Sequence, residues 1–135
     1  EFDRARAALA GWKHFALSWV QLFPRHAGVE IGPVVAVRIR HLGFWSLNGA
    51  RVVSLADDKA RFAFAYGTLT NHAEHGEELF EVSLDAQSGD VTYRIRAVSW
   101  PQAMLARVGY PIVRSLQARF RRDSAAAMRR AVRQA

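Results

Sequence analysis

Apolar residues recur with two different periods along the chain, which predicts helical ends around a β-rich middle. The first stretch, FDRARAALAGWKHFALSWVQLF at residues 2–23, has helical spacing. Its apolar face carries Phe2, Ala5, Leu9, Trp12, Ala16, Trp19, Val20 and Phe23, and the polar positions opposite are Asp3, His14, Ser18 and Gln21. Because Pro24 follows directly, we expect one helix that ends there.

Between residues 29 and 100 the apolar period changes to two, which is typical of strands. The alternating runs are Val35-Val37-Ile39, Phe62-Phe64-Tyr66, Phe80-Val82-Leu84 and Val91-Tyr93-Ile95-Ala97, and residues 51–55 form a further strand-like segment. Turn residues separate these runs. Because the connections are short and contain no helix, they predict an antiparallel meander of five strands. Residues 41–49 fit either a loop or a bulged strand.

After residue 101 the helical spacing returns. The apolar stripe consists of Leu105, Val108, Ile112, Leu116 and Phe120. Since Pro111 interrupts it, we expect a short helical piece, a kink and then a long helix to near the end. A chain of 135 residues is large enough for one core, so residues 1–135 are read as a single domain. We predict an α+β fold in which a curved antiparallel meander wraps around the C-terminal helix and leaves an apolar cavity between them.

Composition and charge remove several classes of function. The chain has no cysteine, which excludes disulfides and thiolate chemistry and is compatible with a cytoplasmic location. No apolar run approaches the roughly 20 residues that span a bilayer. The net charge is +7, and from residue 102 onward eight arginines stand against Asp123 alone. Arg119 and Asp123 are expected to pair at i,i+4.

The basic C-terminal helix fits anionic lipid headgroups or nucleic-acid phosphates as partners. Its apolar stripe, however, is claimed by the sheet. The chain shows no recognised nucleic-acid motif, and no aromatic side chains suited to base stacking are interleaved with these arginines. We therefore expect the basic face to be solvated. The sequence gives no strong signal for nucleic-acid binding, and we do not favour a membrane surface as the partner of this helix.

The densest cluster of chemically active side chains is His72, Glu74, His75, Glu77 and Glu78. Zinc needs three or four convergent ligands, and the helical HExxH arrangement is absent. In extended backbone His72 and Glu74 share a face that His75 opposes. We therefore favour a solvated turn between strands over a metal site, and predict neither a metal nor another cofactor.

Two members of this cluster, His72 and Glu78, are candidates for catalysis. Glu78 has the same parity as the inward residues of its strand, and a carboxylate facing an apolar cavity would have a raised pKa. Together with His72 it could act as a general acid and base at the cavity mouth. The alternative is a structural ion pair with an arginine such as Arg51 or Arg94. We favour the structural role, so no catalytic residue is predicted.

A family resemblance adds to this reading. The segments GARVVSLADDKARFAFAYGTLTNHAEHGEELFEV and AVSWPQAMLARVGYPIVRSLQARFRRDSAAAMRRAV resemble an uncharacterised domain-of-unknown-function family related to the START-like (SRPBCC) helix-grip superfamily. The most specific matches are residues 51–53, 64–69, 76–78, 106–111 and 121–124. The resemblance implies a helix-grip fold and a cavity for apolar molecules, with no established reaction. It also implies an N-terminal edge strand that this chain, which begins with Glu1, does not show.

These observations define a predicted ligand cavity and three hypotheses on function. The cavity candidates are Trp45, Asn48, Arg51, Phe64, Tyr66, Thr68, Phe80, Tyr93, Ile112 and Leu116. The hydroxyls of Tyr66 and Tyr93 would orient a ligand, or else belong to core tyrosines with satisfied hydroxyls. The first hypothesis is a domain that binds a small apolar or amphipathic molecule. The second is an enzyme in the same cavity, and the third is an interaction module acting through the arginine-rich helix.

Overall fold

The computed structural model describes residues 1–41, 43–69, 74–101 and 110–135. Its elements are α1 (Phe2–Ala10), a short 3-10 helix (Lys13–Phe15), β1 (Val20–Phe23), β2 (Val34–His41), β3 (Phe44–Asp57), β4 (Arg61–Thr68), β5 (Glu74–Leu84), β6 (Val91–Pro101) and the long helix α2 (Tyr110–Gln134). In the described part of the chain, six strands form one sheet in sequential order, each antiparallel to the next. The predicted α+β class, antiparallel meander and C-terminal helix are confirmed.

The N-terminal helix is shorter than its spacing predicts, and that prediction is wrong beyond Ala10. Gly11 caps α1, and Trp12 takes a left-handed backbone conformation with φ of 56°. Glycine disfavours a helix interior by about 1 kcal/mol relative to alanine, so the chain breaks there. Val20 begins an edge strand that pairs with β2. This strand is the sixth, in addition to the five expected.

The two faces of the sheet differ in what covers them. We call the face that packs against α1 and α2 the inner face, and the opposite one the outer face. The inner face supplies the fully buried side chains of Phe64, Phe80, Val52 and Val82, and Leu9 of α1 packs against them. Alternation along each strand therefore sorts side chains between core and solvent.

Helix α2 closes one side of the core and carries basic, exposed residues toward its end. Ser124, Ala127 and Met128 are buried where α2 joins the core. The predicted Arg119–Asp123 pair is confirmed at 3.5 Å, and Asp123 also accepts a hydrogen bond of 3.0 Å from the indole of Trp19. None of the helices in the described residues is both long enough and apolar enough to cross a membrane.

Candidate functional site

A partly open cleft of about 490 Å³ lies between the β5–β6 side of the sheet, the start of α1 and the C-terminal half of α2. It is lined by Glu1, Ala5, Val82, Val91, Thr92, Tyr93, Ala125, Met128, Arg129, Val132 and Arg133. Its volume falls within the roughly 300–1,000 Å³ that is usual for small-molecule sites. The cleft thus lies between the sheet and the helices and is within the size range of small-molecule sites.

The cleft is apolar at its base and basic on one rim. Val82 and Met128 are buried at the base. Arg129 and Arg133 lie one turn apart on α2, so both guanidinium groups can reach the same side of the cleft, while Glu1 contributes one carboxylate. An apolar base beside two cationic side chains suits a molecule with an apolar body and a polar or anionic end.

Tyr93 is the predicted cavity residue that the described structure places in this cleft. Its hydroxyl lies 2.8 Å from the hydroxyl oxygen of Ser124, within hydrogen-bond distance. Burial raises the pKa of the Tyr93 phenol above its usual value, so the group remains neutral at physiological pH. Ser124, which is fully buried on α2, was missed in the sequence. A lone serine before a run of alanines gives no signal that distinguishes it from a small packing residue.

A second polar pair lies on the inner face, four residues before Val82 along β5. The Tyr66 hydroxyl donates a hydrogen bond of 2.6 Å to the Glu78 carboxylate, and the two residues are directly opposed across β4 and β5. Burial, and then the charge of Glu78, raise the pKa of the Tyr66 phenol. Glu78 therefore turns inward, as its parity predicts. The two arginines suggested as its partners are placed elsewhere, since Arg94 bonds Glu81 and Arg51 lies on the outer face.

The other predicted interior residues serve the core or the sheet. Phe64 and Phe80 are fully buried, with ring centroids 5.4 Å apart, and Leu116 is partly buried against the same hydrophobic core. Asn48 donates from its side-chain amide to the Ser46 hydroxyl at 3.3 Å. None of these four lines the cleft described above.

Two further predicted residues are not brought to the interior. Trp45 and Arg51 sit on the outer face of β3, where the side chains alternate with those of buried neighbours. His72 lies outside the described residues, as do the side chains of Thr68 and Ile112. In the described residues no group of three or more histidine, aspartate or glutamate side chains is placed to hold a metal ion.

His14 is a buried titratable group that the sequence reading misplaced. Helical spacing put it on the polar side, but the break after α1 turns it into the core, where it is fully buried. Its ring stacks on Trp12 at 5.6 Å and approaches the ring of Phe80 at 4.5 Å. Within the described residues neither ring nitrogen has a hydrogen-bond partner. Burial lowers the pKa of His14 to about 3, so the imidazole is neutral at physiological pH.

Comparisons with known proteins give a family but no activity. The model of a family described as "Domain of unknown function (DUF1990)" matches residues 1–127. A UPF0548 protein of Dictyostelium discoideum is 35% identical over 97% of this chain, one of Arabidopsis thaliana 32% over 94%, and one of Deinococcus radiodurans 33% over 96%. The chain spans 66%, 64% and 70% of those proteins, respectively. No solved structure matches the chain.

Proposed function

Because the chain belongs to the DUF1990 family, whose description assigns no activity, we propose from its geometry that it binds a small amphipathic molecule. The observation that carries this proposal is the cleft of about 490 Å³ between the sheet and α2. The order of a helix, an antiparallel meander and a long terminal helix also supports a helix-grip relation to START-like domains. An experimental structure superimposed on such domains would test that relation.

The two parts of the ligand would meet two parts of the cleft. Its apolar body would lie against Val82, Met128 and Val132. Each methylene group that leaves water contributes about 0.8 kcal/mol, so affinity should rise with chain length until the cleft is filled. Its polar end would lie at Arg129 and Arg133, where a carboxylate or phosphate can accept hydrogen bonds from the guanidinium groups.

Filling the cleft is expected to weaken this binding. In Val132→Trp a large ring would occupy the space between α2 and β6, and affinity should fall by about tenfold or more because the apolar body is excluded. The measurement is displacement of an anilinonaphthalene sulfonate probe by straight-chain carboxylates of increasing length. Ala118→Trp is the matched control, since Ala118 is exposed on the same helix outside the cleft.

A second pair of variants tests the polar end of the same ligand. Arg129→Gln with Arg133→Gln should weaken carboxylates while leaving the corresponding alcohols nearly unchanged, because the alcohols lack the charge. Equal binding by wild type and Val132→Trp would contradict the proposal. A carboxylate series in which affinity did not depend on chain length would contradict it as well.

An enzyme is the second candidate, favoured by the 2.6 Å hydrogen bond between Tyr66 and Glu78 on the inner face. A buried phenol can give its proton to an oxyanion that develops on the substrate, while the neighbouring carboxylate takes a proton from another position of the same substrate. Incubation with molecules that copurify with the protein, followed by mass spectrometry, would reveal a product. We expect Glu78→Gln to lower turnover by about 100-fold or more if the pair is catalytic.

Tyr66→Phe separates this role from a structural one. A purely structural pair predicts a lower midpoint of unfolding in both variants with no product formed by any of the three proteins. In that case the enzymatic candidate is wrong. The proposal that the cleft binds a ligand does not depend on this result.

A further inference from the structure

The outer face of β2 and β3 carries a regular pattern of basic and apolar side chains. Three directly opposed pairs across these strands each join one arginine to one apolar residue: Arg38 with Leu47, Arg40 with Trp45, and Arg51 with Val34. We call these six residues the outer patch. Leu47 is 66% exposed, Trp45 47% and Val34 45%, so the apolar members stand in solvent.

No acidic residue of β2 or β3 is paired with a member of the outer patch. Residues 31–56 contain no aspartate or glutamate, and neither do β1 and β4. The acidic residue of β3, Asp57 at its end, bonds Arg6 of α1. The other half of the outer face differs, because Glu81 there bonds both Arg61 and Arg94. The three arginines of the outer patch are therefore paired across the strands with non-acidic residues only.

A shallow slot lies within this surface. It has a volume of about 380 Å³ and is lined by Phe23, Ala36, Arg38, Trp45, Ser46 and Leu47. The Arg38 guanidinium lies 4.3 Å from the ring centroid of Trp45 and 5.6 Å from that of Phe23, so the cation is held between two aromatic side chains. A basic group is thereby fixed in a slot whose other lining residues, apart from Ser46, are apolar.

We propose that the outer patch docks the protein on an anionic phospholipid surface. Tryptophan is favoured at the boundary between headgroups and acyl chains, and exposed aliphatic side chains such as Leu47 gain from leaving water there. The arginines meet the phosphates, and each basic side chain near such a surface strengthens binding by about fivefold. The outer patch combines both kinds of side chain on one face.

A nucleic acid fits this surface less well. Arg38 already covers one face of the Trp45 ring, which a base would need for stacking. Leu47 and Val34 are aliphatic and highly exposed, and they offer a base neither stacking nor hydrogen bonds. In a lipid interface the same two side chains contribute to binding, so the exposed aliphatic residues decide between the two partners.

Sedimentation with vesicles tests the proposal. The whole chain is mixed with vesicles of phosphatidylcholine alone, or of phosphatidylcholine with phosphatidylglycerol, over a series of salt concentrations. We expect binding to the anionic vesicles alone, and binding that falls as salt rises. Arg40→Glu with Arg51→Glu should weaken it by about tenfold or more because attraction becomes repulsion. Trp45→Ser with Leu47→Ser should weaken it at constant charge.

Matched controls assign the effect to the outer patch. Arg121→Glu with Arg130→Glu changes the net charge equally on exposed positions of α2, and Leu55→Ser removes an apolar side chain that is 40% exposed elsewhere on β3. Both should bind as wild type does. Circular dichroism confirms that each variant is folded, and the salt series on the wild type needs no variant at all.

Several outcomes would overturn the proposal. They are equal binding to both kinds of vesicle, no binding to either, and loss of binding in the α2 variant while the outer-patch variants bind normally. Binding of a single-stranded oligonucleotide that disappears in the outer-patch variants, without vesicle binding, would assign the surface to nucleic acid instead.

Discussion

Replacing Phe80 with alanine is expected to lower the free energy of unfolding by about 3–5 kcal/mol. The side chain is fully buried in the middle of β5. Its ring lies 5.4 Å from that of Phe64, 4.5 Å from that of His14 and 5.5 Å from that of Tyr66. Alanine would remove these contacts and leave a cavity that rigid neighbouring rings cannot fill by small shifts.

Urea denaturation followed by circular dichroism measures this loss. The control is Leu47→Ala, which removes a large side chain that is 66% exposed and should change the free energy of unfolding by no more than about 0.5 kcal/mol. A loss below about 1 kcal/mol in Phe80→Ala would contradict a core centred on this ring. In an intermediate variant, Phe80→Leu, the free energy of unfolding should fall by less than in Phe80→Ala and by more than in Leu47→Ala, because leucine keeps most of the buried volume.

Alternation along the strands made the β-rich half of the fold predictable. Inward positions such as Phe64, Phe80 and Tyr93 follow directly from a period of two, because a shift of one residue would expose every one of them. The same parity places Glu78 inward, as observed. Its partner Tyr66 was not predictable, since which residues oppose each other depends on where the chain turns between β4 and β5.

The N-terminal third shows where periodicity is ambiguous. Apolar residues at 12 and 19 fit a helix, and the structure buries both, but it does so from the segment after α1 rather than from a helix. Burial alone therefore cannot distinguish a helix from a turn followed by an edge strand. The cleft was not located either, because it forms where α1, β6 and α2 meet, and no single period describes a gap between three elements.

The same misread segment holds the residue with the largest expected response to pH. In the unfolded chain His14 has the ordinary histidine pKa of about 6.5, whereas burial lowers the pKa of the folded group to about 3. Between these values the unfolded state binds the extra proton, so the free energy of unfolding falls as the pH falls. The expected loss is roughly 1 kcal/mol for each pH unit below about 6.

Carboxylates titrate at lower pH than His14 does in the unfolded chain, so their contribution to the pH dependence of stability can be separated from that of His14. The pKa of Asp57 is lowered by its hydrogen bond to Arg6, so its stabilisation is present above the unfolded pKa of about 4 and is lost only below that. Urea denaturation at several pH values between 4.5 and 7 should therefore measure how His14 changes the free energy of unfolding with pH.

In His14→Phe this dependence on pH should flatten, because the replacement keeps an aromatic ring and removes the titrating group. His26→Gln, at an exposed position, should keep the wild-type slope. The same slope in wild type and His14→Phe would show that the acid response comes from other groups, and that the imidazole finds a partner for its proton inside the core.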